Sequence, residues 1–338
     1  MEVASLSFIT PSPLYDVEKP YAIQTPLGDD VPREALSNLR YTQHDDIPLT
    51  DARSLPEQSL SYEEQGFKFI RHPMFSAKRF SADPAAVESY CQQTVDLISD
   101  EFRADKTICY DFRVSRFTFV PLLHPGSIMT EKPQLRRNRT SPSLYRNSDD
   151  KSSSNAAPPV HSVHIDHTKT SGFDRMRRYL TASEADKYLN GDYRARIVKY
   201  VHTYAPTPTG PGWEASTFKL NADDSMASTS VWRPINHAVE DCPLALCDAR
   251  TISDDECLAA DRVASADFVL ELYYPTYSPR QEWYWLSNQT PREATVFVQF
   301  DSLALEKEGP VGGTFGLSLS LLLDLQFESD IWRRGEEV

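Results

Sequence analysis

The spacing of apolar positions changes character along the chain. Between residues 83 and 102, "DPAAVESYCQQTVDLISDEF" sets Val87, Tyr90, Val95, Leu97 and Ile98 near the helical period, which predicts a helix. Elsewhere apolar residues alternate with polar ones or cluster in short β-branched and aromatic runs. "SYEEQGFKFIRHP" (61–73) reads as the start of a strand, and "TICYDFRVSRFTFV" (107–120) and "RARIVKYVHTY" (194–204) read as strands. "DFVLELYYPT" (267–276), "QEWYWLSN" (281–288) and "EATVFVQFDS" (293–302) read as consecutive strands separated by turns. A second helix is expected around "TASEADKYLNGD" (181–192), where Thr181 or Ser183 can cap the first turn. Residues 127–160 are polar and rich in Pro and Ser, and predict an irregular loop or lid; a second irregular stretch falls within 201–231. No internal repeat is present.

Few helices and many short aromatic strands predict a mainly β fold with helical decoration, a sandwich or barrel for which a jelly roll is the natural candidate. Residues 1–60, rich in Pro and Asp with short apolar islands, read as an N-terminal wrapping arm; residues 61–338 read as the main domain. Composition agrees. The chain of 338 residues is 40% hydrophobic, enough for a real core, and its 16 Tyr, 16 Phe and 5 Trp favour strands. Proline (24) outnumbers glycine (12), which points to rigid turns and few long helices.

Charge narrows the partners. The formal net charge of −14 repels nucleic acid and anionic membranes, so neither is expected as a partner. A local basic run, "QLRRNRT" (134–140), lies among Ser, Pro and Asn and reads as a solvated loop. Cys91, Cys109, Cys242, Cys247 and Cys257 form no CxxC and read as reduced thiols. The N-terminus lacks the pattern of a signal peptide, and the apolar stretch 315–327 is too short to span a bilayer. The expected compartment is cytoplasmic, where the sequons at Asn138 and Asn288 would stay unmodified.

One stretch carries chemistry. "VHSVHIDHTKT" (160–170) holds three histidines and an aspartate. If 162–167 is extended, His164 and Asp166 project to one face while Val163, Ile165 and His167 project to the other. An imidazole and a carboxylate two residues apart on one strand face can grip a single cation. That is how the two-histidine-one-carboxylate face of non-haem Fe(II) oxygenases begins. His161 and His167 read as surface or outer residues.

Several blocks carry a resemblance: "PLYDVEKPY" (13–21), "IPLTDAR" (47–53), "YEEQGFKFIRH" (62–72), "YDFRVSR" (110–116), "VHIDHT" (163–168), "WRPINHAVEDCPLALCDART" (232–251) and "EWYWLSNQTPREATVFVQFDS" (282–302). In this order they resemble the fungal hydroxylase/desaturase family of secondary metabolism, similar to gibberellin desaturases and a cephalosporin-pathway 7α-methoxylation component. The resemblance implies a double-stranded β-helix (jelly-roll) core, Fe(II) and 2-oxoglutarate as cofactors, and a small natural-product substrate. It implies His164 and Asp166 as iron ligands. A later His-x-x-Phe segment would bring the second histidine, and a final Glu-Ser-x-x-x-Arg an arginine for the oxo-acid carboxylate.

The chain departs from that pattern. No histidine follows His237. "ESDIWR" (328–333) aligns with the final block and makes Arg333 the oxo-acid clamp; Gly312 of "GGTF" (312–315) then stands where the histidine belongs. About thirty residues, 201–231, separate the strand at 194–200 from the "WRP" block, which the family joins almost directly. Three readings stay open. His202 or His237 is the third ligand; the site is degenerate; or the chain is an aberrantly translated, inactive form with intervening sequence near 201–231 and a shifted frame near its end.

Other constellations are weaker. There is no Gly-x-Ser-x-Gly elbow, and "GPVGGTFG" (309–316) lacks the Gly-Lys-Ser/Thr ending of a phosphate loop. Arg233, Asp248 and Arg250 are candidates for a substrate pocket, with structural ion pairs as the alternative; Trp283 and Trp285 read as core and pocket wall. Two functional classes follow. One is an oxidoreductase that hydroxylates or desaturates a natural-product intermediate. The other is an accessory or binding protein of the same fold, acting beside a partner enzyme of the pathway.

Overall fold

The computed structural model describes residues 2–23, 31–72, 84–109, 114–116, 162–198, 201–204, 226–228, 231–234, 238–239, 243–265, 268–305 and 319–322. In chain order its elements are β1 (Glu2–Ile9), β2 (Tyr21–Ile23), β3 (Tyr41–Asp51), β4 (Phe67–Arg71), α1 (Pro84–Phe102), β5 (Lys106–Ile108), β6 (Val114–Arg116), α2 (Lys169–Arg177), α3 (Ala182–Tyr188), β7 (Ala195–Val198), β8 (Val201–Tyr204), β9 (Met226–Ser228), β10 (Val231–Pro234), β11 (Leu244–Cys247), β12 (Cys257–Ser265), β13 (Phe268–Pro275), β14 (Trp283–Trp285), β15 (Glu293–Asp301) and β16 (Leu319–Leu322). The fold is mainly β with few helices. Among the described residues the strands form three sheets, ordered β1-β3-β14-β11-β16, β5-β9-β7-β15-β10-β8-β6 with β4 also on β15, and β13-β12-β2.

The two larger sheets fill one core. Leu6 and Phe8 of β1, Ile47 and Leu49 of β3 and Trp283 of β14 meet Ile197 of β7 and Phe300 of β15. Residues 2–9 and 41–51 fall within the stretch expected to wrap the core. They pair antiparallel from Glu2 opposite Leu49 to Ile9 opposite Tyr41, and their alternate apolar residues lie inside. β15 is buried from Ala294 to Asp301, as its near-continuous apolar run requires.

Helix α1 follows the predicted face: Tyr90, Leu97 and Ile98 pack on Ala294, Val296 and Val298. The chain leaves it through Arg103 in the left-handed region (φ 48°), and Ala104 N–H closes onto the Ser99 carbonyl at 2.9 Å. Thr181 caps α3, as expected. Two elements escape the apolar pattern. "CLAADRVAS" carries Asp261 and Arg262 where a clean alternation is needed, yet it forms the long strand β12, fixed by its pairing with β13. "KTSGFDRMR" contains glycine and four charged residues but forms α2, held by a cap and by packing. An added Cβ at Gly172 would lie 2.1 Å from the Phe300 ring, so only glycine lets α2 approach β15.

Charge fastens the sheets at their ends. Asp301, 3% exposed, accepts from Arg194 Nη2 at 2.5 Å and Arg196 Nε at 2.8 Å, and Glu63 accepts from Nη2 of both arginines. Burial disfavours the Asp301 charge, but the two arginines outweigh it and hold its carboxyl below the usual range. Glu293 is gripped bidentately by Arg53, at 2.9 and 3.0 Å, and by Thr290 N–H and hydroxyl at 2.9 Å each. Its burial likewise disfavours ionisation, but Arg53 and Thr290 win and bring it down to about 2.

Gly172→Ala is expected to lower stability by about 1–3 kcal/mol through overpacking against Phe300, read from the denaturant midpoint. The Glu293 contribution carries the sign of a depressed carboxylate: present above its unfolded value near 4.5 and lost as pH falls toward about 2. Glu293→Gln should therefore cost about 1–2 kcal/mol at pH 7, with the gap to wild type closing as unfolding is measured at successively lower pH.

Candidate metal centre

Residues 162–166 form a short extended segment between named strands. Val163 N–H donates to the Ser7 carbonyl of β1 at 2.9 Å, and Ile165 exchanges both backbone hydrogen bonds with Tyr273 of β13, at 2.8 and 3.0 Å. The segment thereby ties the five-stranded sheet to the three-stranded one. Val163 and Ile165 are completely enclosed in the main core. Side-chain alternation then sends His164 and Asp166 to the opposite side together. His164 Nε2 and Asp166 Oδ1 stand 3.3 Å apart, with side-chain exposures of 7% and 19%.

The surroundings orient the imidazole. His164 Nδ1 lies 2.8 Å from the Ser162 carbonyl. A carbonyl oxygen only accepts, so the neutral ring carries its proton on Nδ1 and turns the Nε2 lone pair toward Asp166. The Tyr274 ring, 6.4 Å from the His164 ring, walls the site. Tyr274 belongs to a small cluster with Ile9, Leu39, Ala260 and Leu272. Burial pushes the Tyr274 hydroxyl up, against the nearby positive charge of Arg262.

A lone pair and a carboxylate oxygen facing each other require a shared cation or proton. Two donors 3.3 Å apart are close enough to serve as neighbouring ligands of one cation. The nitrogen and oxygen donor pair fits a borderline metal such as Fe(II), and its backbone-carbonyl partner is a typical outer support. Among the described residues no group of three or more His, Cys, Asp or Glu could hold a metal. His202 lies on β8 in register with Arg233 of β10, the side chains of both being outside those described. His161, His237, Gly312 and Arg333 fall outside the described residues, as does 127–160.

The family model described as oxidoreductase/YMDC permease-like domain matches residues 6–200 and 214–312. The chain belongs to that family. Hydroxylase/desaturase poxK of Penicillium oxalicum is 25% identical to it over 175 residues, covering 46% of this chain and 44% of poxK. The chain thus spans under half the length of that relative. The Fe(II)/2-oxoglutarate-dependent dioxygenase nvfI of Aspergillus novofumigatus is 22% identical over 276 residues, 80% of this chain and 75% of nvfI. Two structures of the iron and alpha-ketoglutarate-dependent endoperoxidase NvfI share the fold, with TM-scores of 0.63 and 0.62. Both are 21% identical over 96% of this chain and 90% of theirs. The resemblance to fungal hydroxylase/desaturases read from the sequence therefore holds. Despite the word permease, no helix among the described residues is long and apolar enough to cross a membrane.

The other candidates of this oxidoreductase/YMDC permease-like chain are dispersed. Asp248, fully buried, caps the turn after β11 and pairs with Arg250 Nη2 at 2.7 Å; Arg250 also reaches Glu64 at 3.0 Å. Trp283 is a core residue, edge-on to Phe8 at 6.0 Å between ring centres. Trp285 lines a cleft of about 230 Å³ with Glu2, Asp51, Val239, Pro243, Ser287 and Asn288. His167, expected at the surface or in an outer role, is 2% exposed. Ser162 and Tyr274 were not anticipated; only the register of β13 brings Tyr274 to the histidine. In ¹⁵N spectra at alkaline pH, His164 should appear as the Nδ1–H tautomer, with an Nε2 signal of the unprotonated type.

Proposed function

We propose that the chain is an Fe(II)- and 2-oxoglutarate-dependent oxidoreductase. It would hydroxylate or desaturate a small natural-product intermediate of fungal secondary metabolism, on a double-stranded β-helix (jelly-roll) core. The observation that carries this reading is the enclosed pair His164 Nε2 and Asp166 Oδ1, 3.3 Å apart with the imidazole oriented by Ser162. The named activities of poxK and nvfI and the fold shared with NvfI support it.

Iron with 2-oxoglutarate would supply the oxidising power to break an unactivated C–H bond. The protein's own part is to bind, orient and shield. His164 and Asp166 would hold the metal by one nitrogen and one oxygen. The Ser162 carbonyl keeps the His164 lone pair aimed at it. Tyr274 and its apolar neighbours exclude water from the face where an apolar substrate would lie. Arg333 is the proposed clamp for the oxo-acid carboxylate, and His202 or His237 the proposed third ligand. Arg233, Asp248, Arg250, Trp283 and Trp285 remain proposed as substrate-side residues, with Trp285 in its cleft the best placed to touch a ligand.

One feature favours a second reading. The last histidine of the chain is His237, and glycine occupies position 312. An accessory protein with a degenerate site would show the same. Oxygen uptake by purified protein with Fe(II) and 2-oxoglutarate separates the two. The oxygenase reading expects 2-oxoglutarate-dependent uptake and bound iron, both lost in Asp166→Ala at unchanged secondary structure. An accessory protein would show neither, and the substitution would change nothing.

A further inference from the structure

Just past Asp166 the chain enters α2 through a reciprocal cap. Thr168 Oγ1 accepts from Ser171 N–H at 3.1 Å, and Ser171 Oγ accepts from Thr168 N–H at 2.8 Å. Each hydroxyl still has a proton to donate, and both donate to Glu271. Thr168 Oγ1 gives to the Glu271 carboxylate at 2.5 Å, and Ser171 Oγ gives to the Glu271 main-chain carbonyl at 2.7 Å. Thr168 is 2% exposed, so water cannot readily replace a lost partner.

The other oxygen of Glu271 takes Lys19 Nζ at 2.5 Å, and Lys19 also reaches Asp261 at 2.5 Å. Asp261 and Glu271 sit directly opposite each other on β12 and β13. Like charges so placed repel, and Lys19 between them removes the repulsion. Two positions further along β13, Tyr273 makes the backbone pair with Ile165. β13 therefore grips the chain at Ile165 by backbone, at Thr168 by the Glu271 carboxylate and at Ser171 by the Glu271 carbonyl. Asp166 lies between the grips at Ile165 and Thr168.

We infer that Glu271 is a positioning residue for the His164–Asp166 pair, with Lys19 as its counter-charge. The helix cap is satisfied by Thr168 and Ser171 alone. What the carboxylate adds to the Ser171 bond is a second tie of that cap to β13, at the residue nearer Asp166, and with it the direction in which Asp166 points. The inference rests on the oxygenase reading above and deepens it. It identifies an outer support for the carboxylate arm, as the Ser162 carbonyl supports the imidazole arm.

Mn(II) binding to the full-length chain and amide exchange of the metal-free protein test it together. Glu271→Ala should weaken Mn(II) binding about 10- to 100-fold and speed exchange at residues 163–168. Glu271→Gln keeps an acceptor for the Thr168 hydroxyl and should restore both, although it loses the Lys19 ion pair; a purely structural role of the charge predicts no such rescue. If Glu271→Ala does not fold, Glu271→Met, of similar length, cuts the same bond while leaving the Thr168–Ser171 cap intact, and carries the same expectation. Wild-type Mn(II) affinity in Glu271→Ala, or equal loss in the Gln variant, overturns the inference alone. Wild-type protein that takes up no Mn(II), or His164→Ala that binds it normally, overturns the oxygenase reading and the role of Glu271 with it.

Discussion

Three backbone hydrogen bonds, one from Val163 to Ser7 and two between Ile165 and Tyr273, hold the segment on which the candidate site is built. They set its register, and register decides everything else about it. With this pairing, Val163 and Ile165 complete the core against Leu6 and Trp283, and the two polar side chains turn the other way together. A slip by one residue would push the imidazole and carboxylate into an apolar core and the two aliphatic residues out of it. Burying those groups unpaired costs several kcal/mol each, so the hydrophobic core itself enforces the geometry of the polar pair. Packing and candidate chemistry are two faces of one short strand.

Several described cations of the scaffold pair with carboxylates on its strands. The chain has 35 Lys and Arg against 49 Asp and Glu. Arg194 and Arg196 close on Asp301 where β7 meets β15, Arg53 closes on Glu293, and Lys19 joins β12 to β13. Exposed pairs of this kind contribute little, but the Asp301 carboxylate is nearly sealed from water. There the pairing is obligatory, because a buried charge left without its partner is strongly destabilising. The same logic extends to Lys19, which neutralises two facing carboxylates beside the segment that carries the candidate ligands.

Membership of the oxidoreductase/YMDC permease-like family and the fold shared with NvfI fit a scaffold in which a curled set of strands encloses a small polar centre. The departures lie elsewhere in the chain. Strands β8 and β9 fall inside the stretch 201–231 that separates two family-like blocks, and both are paired in the second sheet, β8 beside β10 and β9 beside β7. At least these parts of the additional sequence are accommodated as sheet.

Periodicity was enough for some of this. The 3.6-residue spacing of Tyr90, Leu97 and Ile98 located α1, and the aromatic and β-branched runs located β13, β14 and β15, because side-chain period follows directly from backbone geometry. The same rule put His164 and Asp166 on one face before any fold was known. It could not locate β12 or α2. Asp261 faces Lys19 and Gly172 lies under Phe300, so both residues look wrong locally and are right only against their neighbours. Nor could it supply Tyr274 and Glu271 as companions of the site, since Glu271 is 103 residues from the threonine it binds. Local sequence by itself determined which side chains share a face. Only the tertiary structure decided what that face meets, because contacts between distant segments depend on strand register, which no local pattern encodes.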